Sequence, residues 1–299
     1  MNQVLDRACH IFNVRVSKVG GLVNAARIPR CARAAGLEVR GVMGYEGHLI
    51  EDRPRTLKYG LSGAYYWGLE VLPEFQNVPT SYDNFATFGG DLSYSTAMGT
   101  IGGIEAEKGF MTRLRFGGTV VRGDFFSRTS LGATWGFLTP LDHSSLWFRL
   151  AGGQGTGPLD EPFANFFFGG FGNNWVDHGA VNRYRQLPSF PGVEINAIGG
   201  RTFAKGGVEW TLPPLRFRKL GITNFYATWA RLALFGQGVV ANPENDEWRR
   251  EVVNVGAQLN VKLVLFYSLP STLSVGYARA FEDGLDPRDE LMVSLKILR

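Results

Sequence analysis

Apolar and polar residues alternate at every second position, and this feature constrains the 299-residue sequence more than any other. The alternation begins near residue 57 and continues to the C-terminus. Its clearest run is the segment 257–265, which reads AQLNVKLVL. A period of two is that of a β-strand with two unlike faces, whereas a helix repeats its apolar residues every three or four positions. The pattern therefore predicts an all-β protein.

The composition agrees with a β protein and excludes several other classes. Only 19% of the residues are charged, 13% are aromatic and 39 are glycine, whereas soluble proteins average about 25% charged residues. Disorder and coiled coils both need more charge. Two cysteines cannot form a disulfide framework. The charge-free runs 162–176 and 263–278 are shorter than the roughly 20 residues of a transmembrane helix.

Turn signals at 139–144, 242–246 and 282–287 separate about ten to twelve strands, many of them 9 to 13 residues long. Soluble strands are usually about five or six residues long, but strands that cross a membrane need about 9–11. The sequence therefore predicts an antiparallel transmembrane β-barrel over residues 56–299, either whole or truncated from a larger barrel. Residues 1–55 carry the net positive charge and are expected to be a basic, poorly structured segment.

The alternation also assigns the two faces of the predicted strands. Charged residues such as Lys262 and Lys296 fall on the face expected to line a lumen. The other face is expected to contact lipid, and the last strand, about 289–298, is expected to close the barrel by pairing near its first strands. The predicted lipid-facing residues are Leu131, Ala133, Trp135, Phe137, Val208, Trp210, Leu212, Ala257, Leu259, Val261, Leu263, Leu265, Leu291, Val293, Leu295 and Ile297.

One region carries a resemblance to a known family. The stretch 163–176 (FANFFFGGFGNNWV) leads into 182–192 (NRYRQLPSFPG), then into Ile198-Gly199-Gly200 and 208–215 (VEWTLPPL). This series resembles the bacterial surface-antigen family, the barrel domain of the outer-membrane assembly and two-partner-secretion superfamily. In that family an Arg-Gly-aromatic motif sits on a long loop folded into the barrel, and five strands follow. Five strands are expected here at 196–213, 218–236, 248–268, 271–281 and 287–298.

The resemblance implies a set of structural site residues in place of catalytic ones. The loop from about 176 to 192 is expected to enter the lumen with Arg185 at its tip, because its prolines and apolar residues stiffen it. Glu209 on the next strand is the expected partner of Arg185. The inserted-loop residues are Arg183, Arg185, Pro188, Phe190 and Gly192, and the C-terminal strand signal is Leu291, Val293, Leu295 and Ile297.

The expected function is that of a bacterial outer-membrane protein acting as an anchor, a channel or an element of protein translocation or assembly. Its partners would be outer-membrane lipid and the barrel-assembly machinery. No catalytic residue, cofactor, metal site or nucleic-acid surface is predicted, since the four histidines lack ligand spacing and the net charge of +4 is unclustered. Two alternatives stay open: a barrel that anchors an upstream enzyme or propeller domain, and a soluble β-sandwich that binds a partner.

Overall fold

The computed structural model describes residues 42–43, 49–50, 55–66, 84–159, 161–172, 181–222, 224–266 and 268–297. Of the predicted N-terminal segment it describes only Arg55 and a pair of two-residue strands. The strands are β1 (Val42–Met43), β2 (Leu49–Ile50), β3 (Thr56–Tyr66), β4 (Phe85–Ser95), β5 (Gly109–Val121), β6 (Asp124–Leu138), β7 (Ser145–Thr156), β8 (Phe166–Phe168), β9 (Ile198–Gly200), β10 (Thr202–Thr211), β11 (Leu215–Ile222), β12 (Phe225–Ala241), β13 (Arg250–Leu265), β14 (Leu269–Glu282) and β15 (Arg288–Ile297).

The fold is all-β, as the alternation predicts. Eleven strands form one antiparallel sheet in the order β3-β4-β5-β6-β7-β10-β12-β13-β14-β15, with β11 also paired to β12. Two small pairs, β1 with β2 and β8 with β9, lie outside this sheet. In the described part of the chain, no helix is long and apolar enough to span a membrane.

Strands β10 and β11 lie end to end beside β12 and together form one long strand with an interruption. β10 pairs with residues 233–241 of β12, and β11 pairs with residues 225–230. Pro213 and Pro214 stand between them, and proline cannot donate a ladder hydrogen bond. With β10 and β11 counted as one, five strands of the large sheet follow Gly192, but the predicted boundary between 196–213 and 218–236 is wrong. The two prolines resemble a turn signal, yet the chain reverses only between Ile222 and Phe225.

The two faces of the sheet have opposite chemistry. On one face, here called the outer face, Leu131, Leu150 and Val293 are each more than half exposed. On the other, the inner face, the carboxylate of Glu209 and the amide of Gln258 are completely buried. A sheet in a water-soluble protein buries its apolar face and exposes its polar one. This sheet instead exposes its apolar outer face, and its inner face buries polar side chains together with apolar ones such as Phe203 and Val239.

Most of the predicted lipid-facing residues lie on the outer face. Leu263 belongs to the outer face by register, because its row continues through Ser271 to Ile297, but it is only 7% exposed, and Ala227 and Ser271 are buried with it. Lys262 lies two residues beyond the buried inner-face residue Asn260 and shares a row with Thr272 and Lys296, so both lysines lie on the inner side. The exposed members of the predicted face are Leu131, Trp135, Phe137, Val208, Trp210, Leu259, Leu291, Val293, Leu295 and Ile297, whereas Ala133, Leu212, Ala257, Val261 and Leu265 are half-buried.

The chain between β7 and β10 folds against the inner face, and its described residues 161–172 and 181–200 are here called the plug. Arg128 on β6 donates to the Asn165 carbonyl at 3.1 Å, while Glu290 on β15 accepts from the Phe171 amide at 3.0 Å. In a flat sheet six strand spacings, roughly 29 Å, would separate β6 from β15. The sheet therefore curves around the plug. No ladder joins β3 to β15 among the described residues, so closure into a barrel stays a prediction.

A pair of inner-face glycines tests how tightly the curved sheet is packed. A Cβ at Gly136 would overlap the ring of Trp147, whereas a Cβ at Gly117 meets nothing within 4 Å. We expect Gly136→Ala to lower the free energy of unfolding by about 1–3 kcal/mol through overpacking. Gly117→Ala should be neutral or slightly stabilising, since alanine loses less chain entropy than glycine. Urea unfolding in detergent measures both, and equal effects would contradict this packing.

Candidate functional site: an ion-pair cluster between the plug and the sheet

A short 3-10 turn, Arg183–Arg185, presents the two plug arginines in different directions. The Arg185 amide donates to the Asn182 carbonyl at 3.2 Å, and the Gln186 amide donates to the Arg183 carbonyl at 2.8 Å. Arg183 turns back into the plug and donates to the Gly172 carbonyl at 3.1 Å. Arg185 points toward the sheet, so it is the arginine that can join the plug to the wall.

Arg185 forms a two-pronged pair with Glu209 on β10. Its Nε donates to Glu209 Oε2 at 3.0 Å and its Nη2 donates to Oε1 at 2.5 Å. The planar guanidinium matches a carboxylate in this fork geometry, which fixes direction as well as distance. The pair therefore sets both the position and the orientation of the plug relative to β10.

Glu209 has two further partners on the sheet. Arg149 on β7 lies 2.8 Å from Oε2, and the hydroxyl of Thr211 donates to Oε1 at 3.0 Å. A carboxylate with no solvent exposure is costly unless it is paired and hydrogen-bonded. Both carboxylate oxygens of Glu209 therefore have partners, some from the inner face of the sheet and one from the plug.

A second carboxylate, Glu105, extends the cluster to the other side of Arg185. It lies in the loop between β4 and β5, and its Oε2 accepts from Arg185 Nη1 at 2.8 Å. Its Oε1 lies 2.8 Å from Arg231 Nη2 on β12 and accepts from the Asn182 side chain at 3.0 Å. Three arginines and two glutamates thus connect the plug, three strands and one loop.

The cluster shifts the pKa values of Glu105 and Arg185, its two members that lie outside the strands. Burial alone would raise the pKa of Glu105, but Arg185 and Arg231 outweigh it and hold that pKa below its ordinary value. Burial likewise works against the charge of Arg185, yet Glu209, Tyr184 and Glu105 raise its pKa well above the usual value. Both groups are therefore charged at neutral pH.

Apolar and polar contacts hold the rest of the plug. Tyr184, 1% exposed, stacks on Phe235 with ring centroids 4.4 Å apart, and the Gln237 side chain donates to the Tyr184 carbonyl at 2.8 Å. Phe190 is completely buried in the core between plug and sheet. The ammonium of Lys205 on β10 donates to the Leu187 carbonyl at 3.0 Å and also to the Ser189 carbonyl. These contacts fix the chain on both sides of Arg185.

Gly192 is where the plug meets the last two strands. Its φ of +92° lies in the left-handed region that favours glycine, and a Cβ there would lie 2.8 Å from the Ala280 nitrogen on β14. Its amide donates to Glu290 Oε2 at 2.8 Å. The same carboxylate accepts from the Phe171 amide, so Glu290 holds two plug amides against β15.

The structure brings most of the sequence-predicted site residues together. Arg185 meets Glu209, and Phe190 and Gly192 are buried beside the sheet. Pro188 is exposed, and its carbonyl accepts from the Gly169 amide at 3.0 Å. The segment 173–180 of the predicted loop lies outside the described residues. Leu291, Val293, Leu295 and Ile297 all lie on the outer face of β15.

Sequence reasoning missed the contributions of Glu105, Lys205 and Glu290. Arg149 and Arg231 are placed on the inner face by the alternation alone, but nothing in the sequence pairs them with particular carboxylates. Glu105 lies in an irregular loop, where no periodicity indicates a direction. Among the described residues, no group of three or more His, Cys, Asp and Glu side chains is arranged to hold a metal ion.

Comparison with known proteins adds no relative. No model of a known protein family matches the chain, and no curated protein sequence matches it either. The functional argument therefore rests on the fold and on the ion-pair cluster.

Removing Arg185 tests the ion-pair cluster. Arg185→Ala leaves Glu209 buried with Arg149 as its only cation, and breaking a buried pair costs about 3–5 kcal/mol. Arg183→Ala removes the hydrogen bond to the Gly172 carbonyl and the other contacts of that side chain, but it leaves Glu105 and Glu209 with all their arginine partners. Urea unfolding should show the larger loss for Arg185→Ala, with partial recovery in Arg185→Lys. Equal losses in the two alanine variants would contradict the role given to Arg185.

The lowered pKa of Glu105 predicts a pH dependence. Because the folded pKa lies below the unfolded value, the unfolded state binds more protons, so the stabilisation is present at neutral pH and is lost as the pH falls through the folded pKa. We expect the difference in unfolding midpoint between wild type and Glu105→Gln to shrink as the pH falls below the ordinary glutamate pKa of about 4.3. Glu209 is present in both chains, so its titration affects them alike. A difference that stays constant with pH would contradict the prediction.

Proposed function

We propose that this chain is a bacterial outer-membrane β-barrel protein of the surface-antigen type, in which the plug closes the lumen of a gated translocation element. One observation carries the proposal: the sheet exposes an apolar face across its width, although ionised and amide side chains are buried on its other face. Leu131, Leu150, Val255 and Val293, on four different strands, are each more than half exposed. An apolar surface that runs across a whole sheet is unfavourable in water but suits contact with lipid.

The presence of the plug favours a gated element rather than an open pore or a passive anchor. An open channel keeps its lumen filled with water, whereas here the inner face is occupied by plug residues such as Tyr184 and Phe190. An anchor needs only the outer face. The Arg185 cluster holds the plug through charged side chains that leave water only because each finds a partner. Such a plug can be released as a unit when those partners are replaced.

The partners follow from the same two surfaces. The outer face would contact outer-membrane lipid. The last strand, whose exposed residues are Leu291, Val293, Leu295 and Ile297, would be the segment that the barrel-assembly machinery reads. No reaction is proposed for the chain.

A charge on the outer face tests the membrane assignment. We expect Leu259→Arg, near the middle of β13, to lower the free energy of unfolding in lipid vesicles by about 2–4 kcal/mol. Leu285→Arg is the matched control, because Leu285 is 55% exposed in the turn between β14 and β15. The control should change stability by less than about 0.5 kcal/mol. Equal effects of the two substitutions would contradict a lipid-facing outer face.

Electrophoretic mobility gives an independent test of the same proposal. The folded chain should migrate differently on unboiled and boiled detergent gels and should partition with detergent. Complete recovery in the aqueous phase of a detergent partition would overturn the proposal and favour the soluble β-sandwich.

A further inference from the structure

The plug does not fill the whole space inside the curved sheet. A cavity of about 720 Å³ lies between the plug and strands β3 to β6. One of its walls is formed by plug residues 185–188, and the opposite wall by the inner face of these four strands. The ion-pair cluster borders the cavity through Arg185 alone, so the remaining charges of the cavity belong to a separate surface.

Among the described residues, every charged side chain that lines this cavity is cationic. These side chains are Lys58 on β3, Arg113 and Arg115 on β5, and Arg185 of the plug. Glu209 and Glu105 neutralise Arg185, as described above. The other three have no such carboxylates among the residues that line the cavity.

Asp91 on β4 is the acid nearest to these cations in the sheet. Its carboxylate lies 3.3 Å from Arg113 Nη2, with both side chains partly exposed. Arg115 lies opposite Asp91 in the ladder, and Lys58 lies opposite Ser93. Three cations therefore face one acid, which leaves two positive charges on this wall among the described residues.

The spacing of the three cations suits a ligand with several negative groups. Lys58, Ser93 and Arg113 form one row across β3, β4 and β5, so the Cα atoms of Lys58 and Arg113 are roughly 10 Å apart. Arg115 is two residues further along the same face, roughly 7 Å from Arg113. Hydroxyls of Ser93, Ser95, Ser130 and Thr134 line the same cavity and can donate hydrogen bonds.

We propose that this cavity is a binding site for small polyanions that carry phosphate groups, held by Lys58, Arg113 and Arg115. Guanidinium groups bind phosphate through forked hydrogen bonds, and cation-lined walls in membrane proteins select anions. A concave surface whose charges are mostly positive also concentrates the electrostatic field that attracts an anionic ligand. This inference rests on the proposed function, because the site would determine which class of solute enters the barrel beside the plug.

The test measures binding of inorganic tripolyphosphate to the full chain folded in a nonionic detergent. Isothermal titration calorimetry should detect binding that weakens as salt is raised. Orthophosphate, which carries fewer charges, should bind more weakly. The double substitution Arg113→Ala with Arg115→Ala should weaken tripolyphosphate binding at least tenfold, and Lys58→Ala should weaken it severalfold. Arg218→Ala, in the exposed strand β11 away from the cavity, is the matched control and should leave the affinity unchanged.

A gain of affinity separates the proposal from simple loss of folding. Asp91→Asn removes the acid that competes for Arg113, so tripolyphosphate should bind severalfold more tightly. Absence of binding to the folded wild type, or equal affinity in the Asp91→Asn, arginine and control variants, would overturn the proposal. Insertion into lipid vesicles is measured separately, so binding without insertion would contradict the proposed function and leave the anion site standing.

Discussion

A single buried carboxylate, Glu209, determines how the plug and the sheet must be arranged. It has no contact with solvent, so its charge must be balanced by side chains that come to it. Arg149 comes from β7 and Arg185 from the plug, and both contact it within hydrogen-bonding distance. Because Arg185 also binds Glu105, the loop between β4 and β5 is drawn into the same cluster. The position of the plug inside the curved sheet follows from these contacts.

The same alternation that places Glu209 on the inner face places its neighbours Val208 and Trp210 on the outer face. A strand has only two faces, so residues on either side of an inward-facing side chain must point outward. A shift of one residue in register would move the charges outward and the apolar residues inward, so the pairing is strongly specified. The ion-pair cluster and the apolar surface are thus two results of one pattern.

Sequence patterns predict the parts of this structure that depend on local order. The strands, their two faces and the pairing of Arg185 with Glu209 follow from alternation and from the family resemblance. The role of Glu105 could not be predicted, because it lies in an irregular loop and its partners are distant in sequence. The prolines between β10 and β11 misled the prediction for a physical reason: Pro213 and Pro214 end a ladder here without reversing the chain. Leu263 keeps the face that the alternation predicts, yet it is buried together with Ala227 and Ser271 of the same row.

Fluorescence quenching by brominated lipid tests most directly whether the apolar face of the sheet meets the membrane. Trp135 on β6 and Trp147 on β7 lie at the same depth, since Trp135 pairs with Phe148 and Gly136 with Trp147, yet they occupy opposite faces. Trp135 is 39% exposed and Trp147 is 4% exposed. Two variants, each keeping one of these residues and replacing the other six tryptophans with phenylalanine, are folded into vesicles of brominated lipid. The account predicts strong quenching of Trp135 and little quenching of Trp147; equal quenching, or stronger quenching of Trp147, would contradict it.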